Sequence, residues 1–402
     1  MSDPLKIASI HIDSAEYQAR NQVLLDYVQK EKLNGLVLFD NYYILYYTGF
    51  AFIPTERPIA YLLSCDGEKV LFVPRLEQEH AQSNSMIDQV EIYQEYPSNQ
   101  HPMEILHNLF HRLHITGDYG ADQDGYPWIL GYRGPSMTEL TGSKPKLVAA
   151  IIENQMMIKS PAEVLLIRES VKWGNLAHTL LQRYTRVGES ETVVSQRASH
   201  EANMAMLDAI GPIYRAQSPF SWGVEAGYRG QIGRNAAIPH ALANNITFQI
   251  GDVLVTGASA PVWGYNSELE RTMIIGEASN EQKRLFEHMV ALQETAFSAM
   301  EPGAPCSVVD LAVKKNFEKH ELQPYWRHHS GHAIGLRYHE GPFLDSGDKT
   351  IMQPGMVFTV EPGLYDSSLG GFRHSDTVLI TEQGIEILTY YPRDLDSLKI
   401  LI

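Results

Sequence analysis

Histidines are concentrated in one short part of the chain, residues 326–340. Four histidines and two arginines occur in this segment. His332 lies between Gly331 and Ala333, two small residues that would let the backbone come close to a ligand. Imidazole is the side chain best suited to proton transfer near neutral pH and to metal ligation. The segment is therefore a candidate active site. The alternative is a polar loop with one or two hydrogen-bonded structural histidines.

Carboxylates and a further histidine interrupt strand-like runs elsewhere in the second half. Glu268 and Glu270 are two residues apart, and in a strand they would point to the same face. Neighbouring carboxylates repel, so at least one should have a raised pKa unless a cation lies between them. Glu361 ends the largely apolar run 356–360, and His240 follows a proline upstream. These residues extend the candidate site.

The composition is that of an ordinary soluble globular protein. The chain has 402 residues, enough for two domains, with 44% hydrophobic and 20% charged residues. The formal net charge of −16 argues against nucleic acid or an anionic membrane as the main partner. The two cysteines, Cys65 and Cys306, imply no disulfide framework, and we expect a reducing cytoplasm. Residues 1–6 show no signal peptide, and no apolar run is long enough to span a bilayer.

Helix and strand patterns alternate in the first part of the chain, residues 1–155. A helix capped by Ser14 is followed by a short buried strand, and residues 59–64 and 69–73 have the pattern of a hairpin. This alternation predicts a compact α/β domain.

The second domain, residues 156–402, begins at a strong helix-start signal. Ser160, Pro161 and Glu163 have the pattern of a capping box with proline in the first turn, so a long helix should follow. Two further helices and five strands are expected, over residues 280–300, 307–320, 253–256, 270–275, 356–361, 377–381 and 385–390. Helices mixed with antiparallel-looking strands predict an α+β domain.

These segments, in this order, resemble the family of creatinase, prolidase, aminopeptidase P and methionine aminopeptidase, which share the pita-bread fold. The shared motifs are Gly331-His332, His339-Glu340, residues 360–363 and residues 373–376. The resemblance covers residues 155–402, and the preceding domain is similar to the N-terminal domain of creatinase and prolidase. It implies a homodimeric hydrolase of C–N bonds in which a smaller α/β domain precedes the pita-bread domain.

Family peptidases hold two metal ions with two aspartates, one histidine and two glutamates, and this chain departs from that set. Gly257 and Glu268 stand at the two aspartate positions, and Ser375 stands at the second glutamate position. His332 and Glu361 match the ligand histidine and the first glutamate. Because two ligands are lost outright, we expect no metal cofactor. The alternative is a single zinc- or manganese-like ion held by Glu268, His332 and Glu361.

Creatinase belongs to the same family and works without metal, and its site fits several positions of this chain. Glu270 and Glu361 match its two substrate-binding glutamates, and His240 matches its catalytic histidine. The resemblance therefore implies a metal-independent hydrolase of a small amino-acid-like substrate. In this hypothesis His240 moves a proton to the leaving nitrogen and activates water, while His332 and His339 complete the hydrogen-bond network.

Further residues are predicted to bind the substrate. Arg57 aligns with an arginine that creatinase lends across its dimer to the substrate carboxylate, and the alternative is a structural arginine. The predicted substrate-binding set is Arg57, Tyr265, Glu268, Arg337 and His374. Thr55, Phe343 and Ser375 differ from creatinase, so creatine is not predicted as the substrate.

Two other functions remain open from the sequence. The first is a metal-dependent Xaa-Pro dipeptidase or aminopeptidase that works with Glu268, His332 and Glu361. The second is a binding protein on the same fold that has lost catalysis together with its metal ligands. Metal analysis and turnover measurements would separate these hypotheses.

Overall fold

The computed structural model describes residues 10–87, 89–128, 131–219 and 221–402. Residues 1–6, where the sequence predicts no signal peptide, lie outside the described part. The chain divides into two compact units, one formed by residues 12–156 and the other containing residues 157–402. Within the described residues, every helix is too short or too polar to cross a membrane.

The N-terminal unit is built on a mixed sheet with strand order β4-β3-β2-β1-β5-β6. Its strands are β1 Gly35–Leu38, β2 Ala60–Ser64, β3 Lys69–Pro74, β4 Gln89–Tyr93, β5 Gly120–Ala121 and β6 Lys146–Leu147. Its helices are α1 Ser14–Lys30, α2 Asn41–Thr48, α3 Gln78–Asn84, α4 Pro102–Arg112, α5 Met137–Thr141 and α6 Ala149–Met157, with a 3₁₀ helix at Arg75–Glu77. Strands β1, β2 and β3 pair antiparallel, and β4, β5 and β6 join in parallel.

The apolar patterns of the sequence form the core of this unit. The hairpin expected from the sequence is present, and Ala60 pairs with Phe72 across it. Val37 and Leu106 are fully buried in the cluster between the sheet and α4. One detail differs from the prediction. Asp13 rather than Ser14 caps α1, because the Asp13 carboxylate accepts the Glu16 N–H at 2.8 Å.

The C-terminal unit combines four long helices with short strands, which pair antiparallel except for the parallel pair of Thr272–Ile275 with Lys399–Ile400. The helices are α7 Pro161–Tyr184, α8 Glu191–Ile210, α9 Asn280–Ala299 and α10 Ser307–Lys319, with 3₁₀ helices at Gly233–Ala237 and Gln323–Tyr325. The strands are β7 Glu225–Gly227, β8 Val253–Val255, β9 Gly257–Ser259, β10 Thr272–Ile275, β11 His332–Ala333, β12 Glu340–Phe343, β13 Val357–Val360, β14 Gly363–Asp366, β15 Gly370–Arg373, β16 Asp376–Thr381, β17 Gly384–Ile387 and β18 Lys399–Ile400.

These strands form several small sheets rather than one large one. The orders are β12-β11-β13-β16-β17 and β18-β10-β8, and two further pairs are β14-β15 and β7-β9. The predicted fold class, an α+β pita-bread domain preceded by a smaller α/β domain, is confirmed. The capping box also forms, since Ser160 Oγ accepts the Glu163 N–H at 3.2 Å and Glu163 Oε2 accepts the Ser160 N–H at 2.8 Å.

Two predicted strands of this unit differ from the structure by more than one residue at an end. β10 begins at Thr272 rather than at residue 270, because the backbone of Glu270 exchanges two 3.0 Å hydrogen bonds with Ser375 in an isolated bridge. β17 ends at Ile387, three residues before the predicted end at residue 390. The first difference matters, because it leaves Glu268 and Glu270 on an irregular extended segment next to the strand.

Candidate active site

Three side chains with metal-ligating atoms meet where neighbouring strands begin and end. His332 begins β11 and Glu361 directly follows β13, the next strand in the sheet. Glu268 lies on the extended segment before β10, where its backbone exchanges hydrogen bonds of 2.8 and 2.9 Å with Thr377 Oγ1. One ring nitrogen of His332 and one oxygen of each glutamate all lie within 4.8 Å of one another.

The His332 ring is held in one orientation. Its Nδ1 lies 2.9 Å from the carbonyl oxygen of Ala333, which can only accept, so Nδ1 carries a proton. Nε2 then faces Glu361 Oε1 at 3.3 Å, and the ring stacks on His339 with centroids 3.9 Å apart. Burial opposes the charged form, but the nearby carboxylates of Glu361 and Glu268 outweigh it and raise the pKa of His332 to about 9.

The two glutamates of this cluster have opposite pKa shifts. Burial and the charges of Glu361 and Glu270 raise the pKa of Glu268 to about 7. Burial also opposes the charged form of Glu361, but its hydrogen bond to His332 and the guanidinium of Arg373 outweigh burial. They lower the pKa of Glu361 well below its ordinary value. The cluster therefore contains more carboxylate than the one imidazole can balance.

Glu270 lies in a different electrostatic setting, between two arginines. Arg373 donates to both of its carboxylate oxygens, with Nη2 to Oε1 at 2.8 Å, and Arg229 donates to Oε1 as well. Arg373 Nη1 also donates to the hydroxyl of Tyr365 at 3.0 Å, and His328 Nε2 lies 2.7 Å from that hydroxyl. The sequence predicted that at least one of these two carboxylates has a raised pKa unless a cation lies near them. Glu268 has the raised pKa, and Glu270 has the neighbouring cations.

A cavity of about 680 Å³ lies beside both carboxylates. Its volume is in the range of small-molecule sites. Small and hydroxyl-bearing residues of α8, β7 and β9 form one wall, and residues that follow β11 form another. The polar side chains that line it are Ser195, Gln196, Ser199, Glu225, Arg229, Ser259, Glu268, Glu270, Tyr338 and His339.

Four of the five predicted catalytic residues lie at or beside this cavity. Glu270 and His339 line it, and His332 and Glu361 lie beside it in the ligand cluster. His240 is exposed and does not line the cavity in the described part of the chain. Burial lowers the pKa of His339, and the charge of the stacked His332 ring lowers it further. The individual catalytic roles stay predictions.

The predicted substrate-binding residues are more scattered. Glu268 lines the cavity. Tyr265 is buried and donates to Glu163 Oε1 at 2.7 Å. His374 is fully enclosed with its ring against Phe286, and burial lowers its pKa well below the ordinary value. These two placements favour structural roles over the predicted substrate contacts.

Arg337 and Arg57 complete the predicted set. The backbone N–H of Arg337 donates to Glu340 Oε1 at 2.9 Å. Arg57 lies in the N-terminal unit, where its Nε donates to Glu95 at 2.7 Å and its Nη1 pairs with Glu56. A substrate contact for either residue stays a prediction.

Sequence inspection missed the two arginines that hold Glu270. Arg373 begins the motif at residues 373–376, so its position could have suggested a role. Arg229 carries no local signal, because it follows β7 on an irregular segment and has a left-handed backbone with φ of 52°. Its pairing with Glu270 depends on the tertiary structure alone.

Comparison with known proteins identifies the family. Residues 166–382 match Metallopeptidase family M24, and residues 20–132 match the Creatinase/Prolidase N-terminal domain. The chain belongs to metallopeptidase family M24. The Xaa-Pro dipeptidase of Pyrococcus furiosus is 28% identical to this M24 chain over 374 residues, which cover 91% of the chain and 99% of the relative. The Xaa-Pro dipeptidase of Pyrococcus horikoshii is 26% identical over 374 residues, covering 92% and 97%.

A solved structure has the same fold. Dipeptidase PepE from Mycobacterium ulcerans superposes on this M24 chain with a TM-score of 0.81 at 23% sequence identity, covering 98% of the chain and 100% of that structure. The predicted family and the predicted hydrolase of C–N bonds are thus confirmed. The relatives support the metal-dependent alternative better than the metal-independent creatinase-like hypothesis, and the expectation of no metal cofactor is not supported.

The residues of this M24 chain fit one divalent ion. Glu268, His332 and Glu361 provide one imidazole nitrogen and two carboxylate oxygens, and three protein ligands are the number that a catalytic zinc site with an open fourth position uses. The hydrogen bond from His332 Nδ1 to a backbone carbonyl is the usual support for a ligating imidazole. At the two further ligand positions, Gly257 has no side chain and Ser375 Oγ donates to Glu268 Oε1 at 2.7 Å, so neither position offers a carboxylate to a second ion.

Proposed function

We propose that this protein is an M24 hydrolase that cleaves a C–N bond of a dipeptide or similar small molecule with a single divalent ion. One observation carries the proposal, the three ligand atoms of Glu268, His332 and Glu361 within 4.8 Å of one another. Such an ion would polarise the scissile carbonyl and lower the pKa of a bound water molecule. The Xaa-Pro dipeptidase relatives support a dipeptide substrate.

His339 is the group best placed to move a proton in this proposal. It lines the cavity, stacks on His332 at 3.9 Å and has a pKa lowered by burial, so it is neutral at pH 7. A neutral imidazole there accepts a proton during water attack and returns it to the leaving nitrogen. His240, predicted for this role from the sequence, is exposed and does not line the described cavity.

Glu270 holds other groups in place in this proposal. Three N–H groups from Arg229 and Arg373 point at its carboxylate. Charge-assisted hydrogen bonds of this kind fix the relative position of the three side chains. In this proposal Glu270 fixes the Arg229 guanidinium at the cavity wall.

Metal content and chelator sensitivity test the proposal. Protein purified without chelator should contain about one equivalent of zinc or manganese by elemental analysis and should hydrolyse an Xaa-Pro dipeptide. Removal of the ion with a chelator should abolish turnover, and adding the ion back should restore it. Full turnover by protein free of metal would contradict the proposal.

A metal-independent, creatinase-like mechanism is the second candidate. The observation in its favour is the position of the His332 ring beside two carboxylates, with Nε2 3.3 Å from Glu361 Oε1 and Glu268 in the same cluster. These carboxylates raise the pKa of His332 to about 9, so the ring is a cation at neutral pH. An imidazolium could then supply locally the positive charge that a metal would provide. The same chelator experiment separates the candidates, because only this mechanism retains activity without metal.

The predicted homodimer and the reach of Arg57 belong to the proposal too. Size-exclusion chromatography with light scattering measures the oligomeric state directly. If the protein is a fully active monomer, its activity does not depend on Arg57 of a second subunit.

A further inference from the structure

Asp376 is a buried carboxylate directly behind the ligand cluster. It begins β16, and protein atoms enclose it completely. Consecutive side chains of an extended chain point to opposite faces. Ser375 faces the cluster, because its Oγ donates to Glu268 Oε1 at 2.7 Å, so Asp376 points away from the cluster. A buried charge is costly unless it is paired and hydrogen-bonded, and the partners of Asp376 therefore show what it holds.

One oxygen of Asp376, Oδ1, holds the segment that carries Glu268. Arg271 Nη2 donates to this oxygen at 2.7 Å, and the two side chains are 0% and 1% exposed. Arg271 Nη1 donates to the carbonyl oxygens of Glu270 at 2.7 Å and Ser375 at 3.0 Å. The backbones of those two residues pair in the isolated bridge next to Glu268. Arg271 thus fastens the bridge, and Asp376 fixes Arg271.

The other oxygen of Asp376, Oδ2, holds the segment that carries Glu361. Gln293 lies on α9, and its Nε2 donates to Asp376 Oδ2 and to the carbonyl oxygen of Val360, both at 2.9 Å. Val360 ends β13 and directly precedes Glu361. Gln293 Oε1 accepts from Arg393 Nε at 2.9 Å, so the amide is held with Nε2 towards Asp376.

The third hydrogen bond to Asp376 comes from the last part of the chain. Thr389 lies after β17, is buried, and donates from Oγ1 to Asp376 Oδ1 at 2.6 Å. Within the described residues, this hydroxyl has no hydrogen bond to the segments that carry Glu268 and Glu361. Thr389 therefore supports the same carboxylate without forming part of either connection to the cluster.

The two glutamates need support from behind because their charges repel each other. One oxygen of Glu268 and one oxygen of Glu361 lie within 4.8 Å of each other. Repulsion between like charges is strong where protein rather than water surrounds them. It pushes the two segments apart before an ion binds. Asp376 opposes that movement, because a single carboxylate is bonded to both segments through Arg271 and Gln293.

We infer that Asp376 is a positioning residue of the ligand cluster, whose two carboxylate oxygens hold the segments of Glu268 and Glu361 at the separation that one divalent ion requires. The inference rests on the proposed function, because it takes the cluster as the site of one ion. Asp376 acts through Arg271 and Gln293 and contacts neither the ion nor the substrate.

The zinc affinity of the folded full-length protein tests the inference. The protein is first freed of metal, and zinc is then titrated in competition with a coloured chelator, at a temperature at which circular dichroism shows every variant folded. Asp376→Asn replaces one oxygen with an N–H₂ group, which must face a donor of Arg271 or Gln293. Zinc should bind roughly ten- to a hundredfold more weakly, as is typical when groups that orient metal ligands are changed. Gln293→Met removes only the connection to Val360 and should show a smaller loss.

Thr389→Val is the matched control, and Arg234→Ala is a surface control outside the cavity. Thr389→Val should lower Tm and keep the zinc affinity of the unmodified protein, whereas Arg234→Ala should change neither. Unchanged zinc affinity in both Asp376→Asn and Gln293→Met would overturn the inference, because a purely structural role lowers Tm alone. An equal loss of affinity in Thr389→Val would also overturn it. If Asp376→Asn does not fold, Gln293→Met decides, because it keeps the pair of Arg271 with Asp376.

Crystal structures without metal separate this inference from the proposed function. If the unmodified protein binds no zinc, the proposed function fails, but the distance between the carboxylates of Glu268 and Glu361 can still be measured. This distance should be larger in Gln293→Met than in the unmodified protein. The same distance in both structures would overturn the role of Asp376, whether or not the cluster binds an ion.

Discussion

Glu268 and Glu270 lie two residues apart and have opposite surroundings. Glu270 is held by Arg373 and Arg229, two cations that the chain itself provides. Glu268 shares its site with Glu361 and His332, and burial together with these carboxylates raises its pKa to about 7. The charge of Glu270 is therefore balanced permanently by arginines, whereas the charge of Glu268 is balanced only in part.

Because of this difference, Glu270 is a structural carboxylate, whereas Glu268 is available to bind a proton or a metal ion. A buried carboxylate without a full counter-charge either binds a proton or binds a cation from solution. Glu268 is in that situation beside the ionised Glu361, so a divalent ion would relieve the repulsion between the two carboxylates. Glu270 has no such need, and its charge serves to orient Arg229. The predictions below test this separation.

Loss of His332 should have the largest effect on activity. His332→Ala removes the imidazole and leaves two carboxylates, which bind a borderline metal poorly. Polarisation by the ion is worth several kcal/mol, so kcat/KM for a dipeptide should fall on the order of a thousandfold or more, and metal content should fall with it. The matched control, His288→Ala on the partly exposed face of α9, should keep activity within about twofold. Normal turnover by His332→Ala without metal would contradict both candidates, because the creatinase-like mechanism also depends on the His332 ring.

Loss of Arg373 should mainly affect stability. Arg373→Ala leaves the buried Glu270 with Arg229 as its remaining partner and also removes the bond to Tyr365. Breaking a buried ion pair typically costs 3–5 kcal/mol, so we expect the free energy of unfolding to fall by about 3 kcal/mol in urea titrations. Arg234→Ala should change it by less than about 0.5 kcal/mol. If the free energy of unfolding fell as little in Arg373→Ala, Arg229 alone would be sufficient to stabilise the buried Glu270.

Much of the fold could be predicted from the sequence because its signals are local. The capping box at Ser160 and Glu163 and the hairpin around residues 65–68 depend on neighbouring residues and appear as expected. Asp13 and Ser14 are both good capping residues, so sequence alone could not decide which of them starts α1.

The site was partly predictable for a related reason. Glu268, His332 and Glu361 could be found because they stand at metal-ligand positions of the family, and the structure brings their ligand atoms together. Tyr265 and His374 are polar residues close to such positions in the sequence, but they are buried, and which way a side chain points depends on packing between sheets. Arg229 reaches Glu270 across 41 positions of sequence, and no local pattern indicates that contact.

Metal binding should become tighter as the pH rises. Without metal, the pKa values of Glu268 and His332 are raised to about 7 and about 9, so both groups hold protons that an ion must displace. Because both folded-state values lie above the ordinary ones, the stability that these groups contribute is present at low pH. It is lost between about pH 4.5 and 7 for Glu268 and between about 6.5 and 9 for His332.

Thermal unfolding measures this prediction. The increase in Tm that one equivalent of zinc produces should be larger at pH 8 than at pH 6, because fewer protons must be displaced at the higher pH. The Glu268→Gln variant has no carboxyl proton at this position, so its zinc-induced increase in Tm should depend less on pH. An increase in Tm that is the same at both pH values would contradict a site in which protons and metal compete.

Restoring acidic residues at positions 257 and 375 should have the smallest effect on metal content. An aspartate at position 257 begins 3.7 Å from the Arg229 guanidinium and would pair with it, since the Cβ of that residue already contacts Cζ and Nη2. The double variant Gly257→Asp with Ser375→Glu should therefore still bind about one ion per chain by elemental analysis. Adding Arg229→Ala should free the new carboxylate and raise the content towards two. Two ions in the double variant would mean that missing carboxylates alone, and not the neighbouring arginine, limit this M24 chain to one ion.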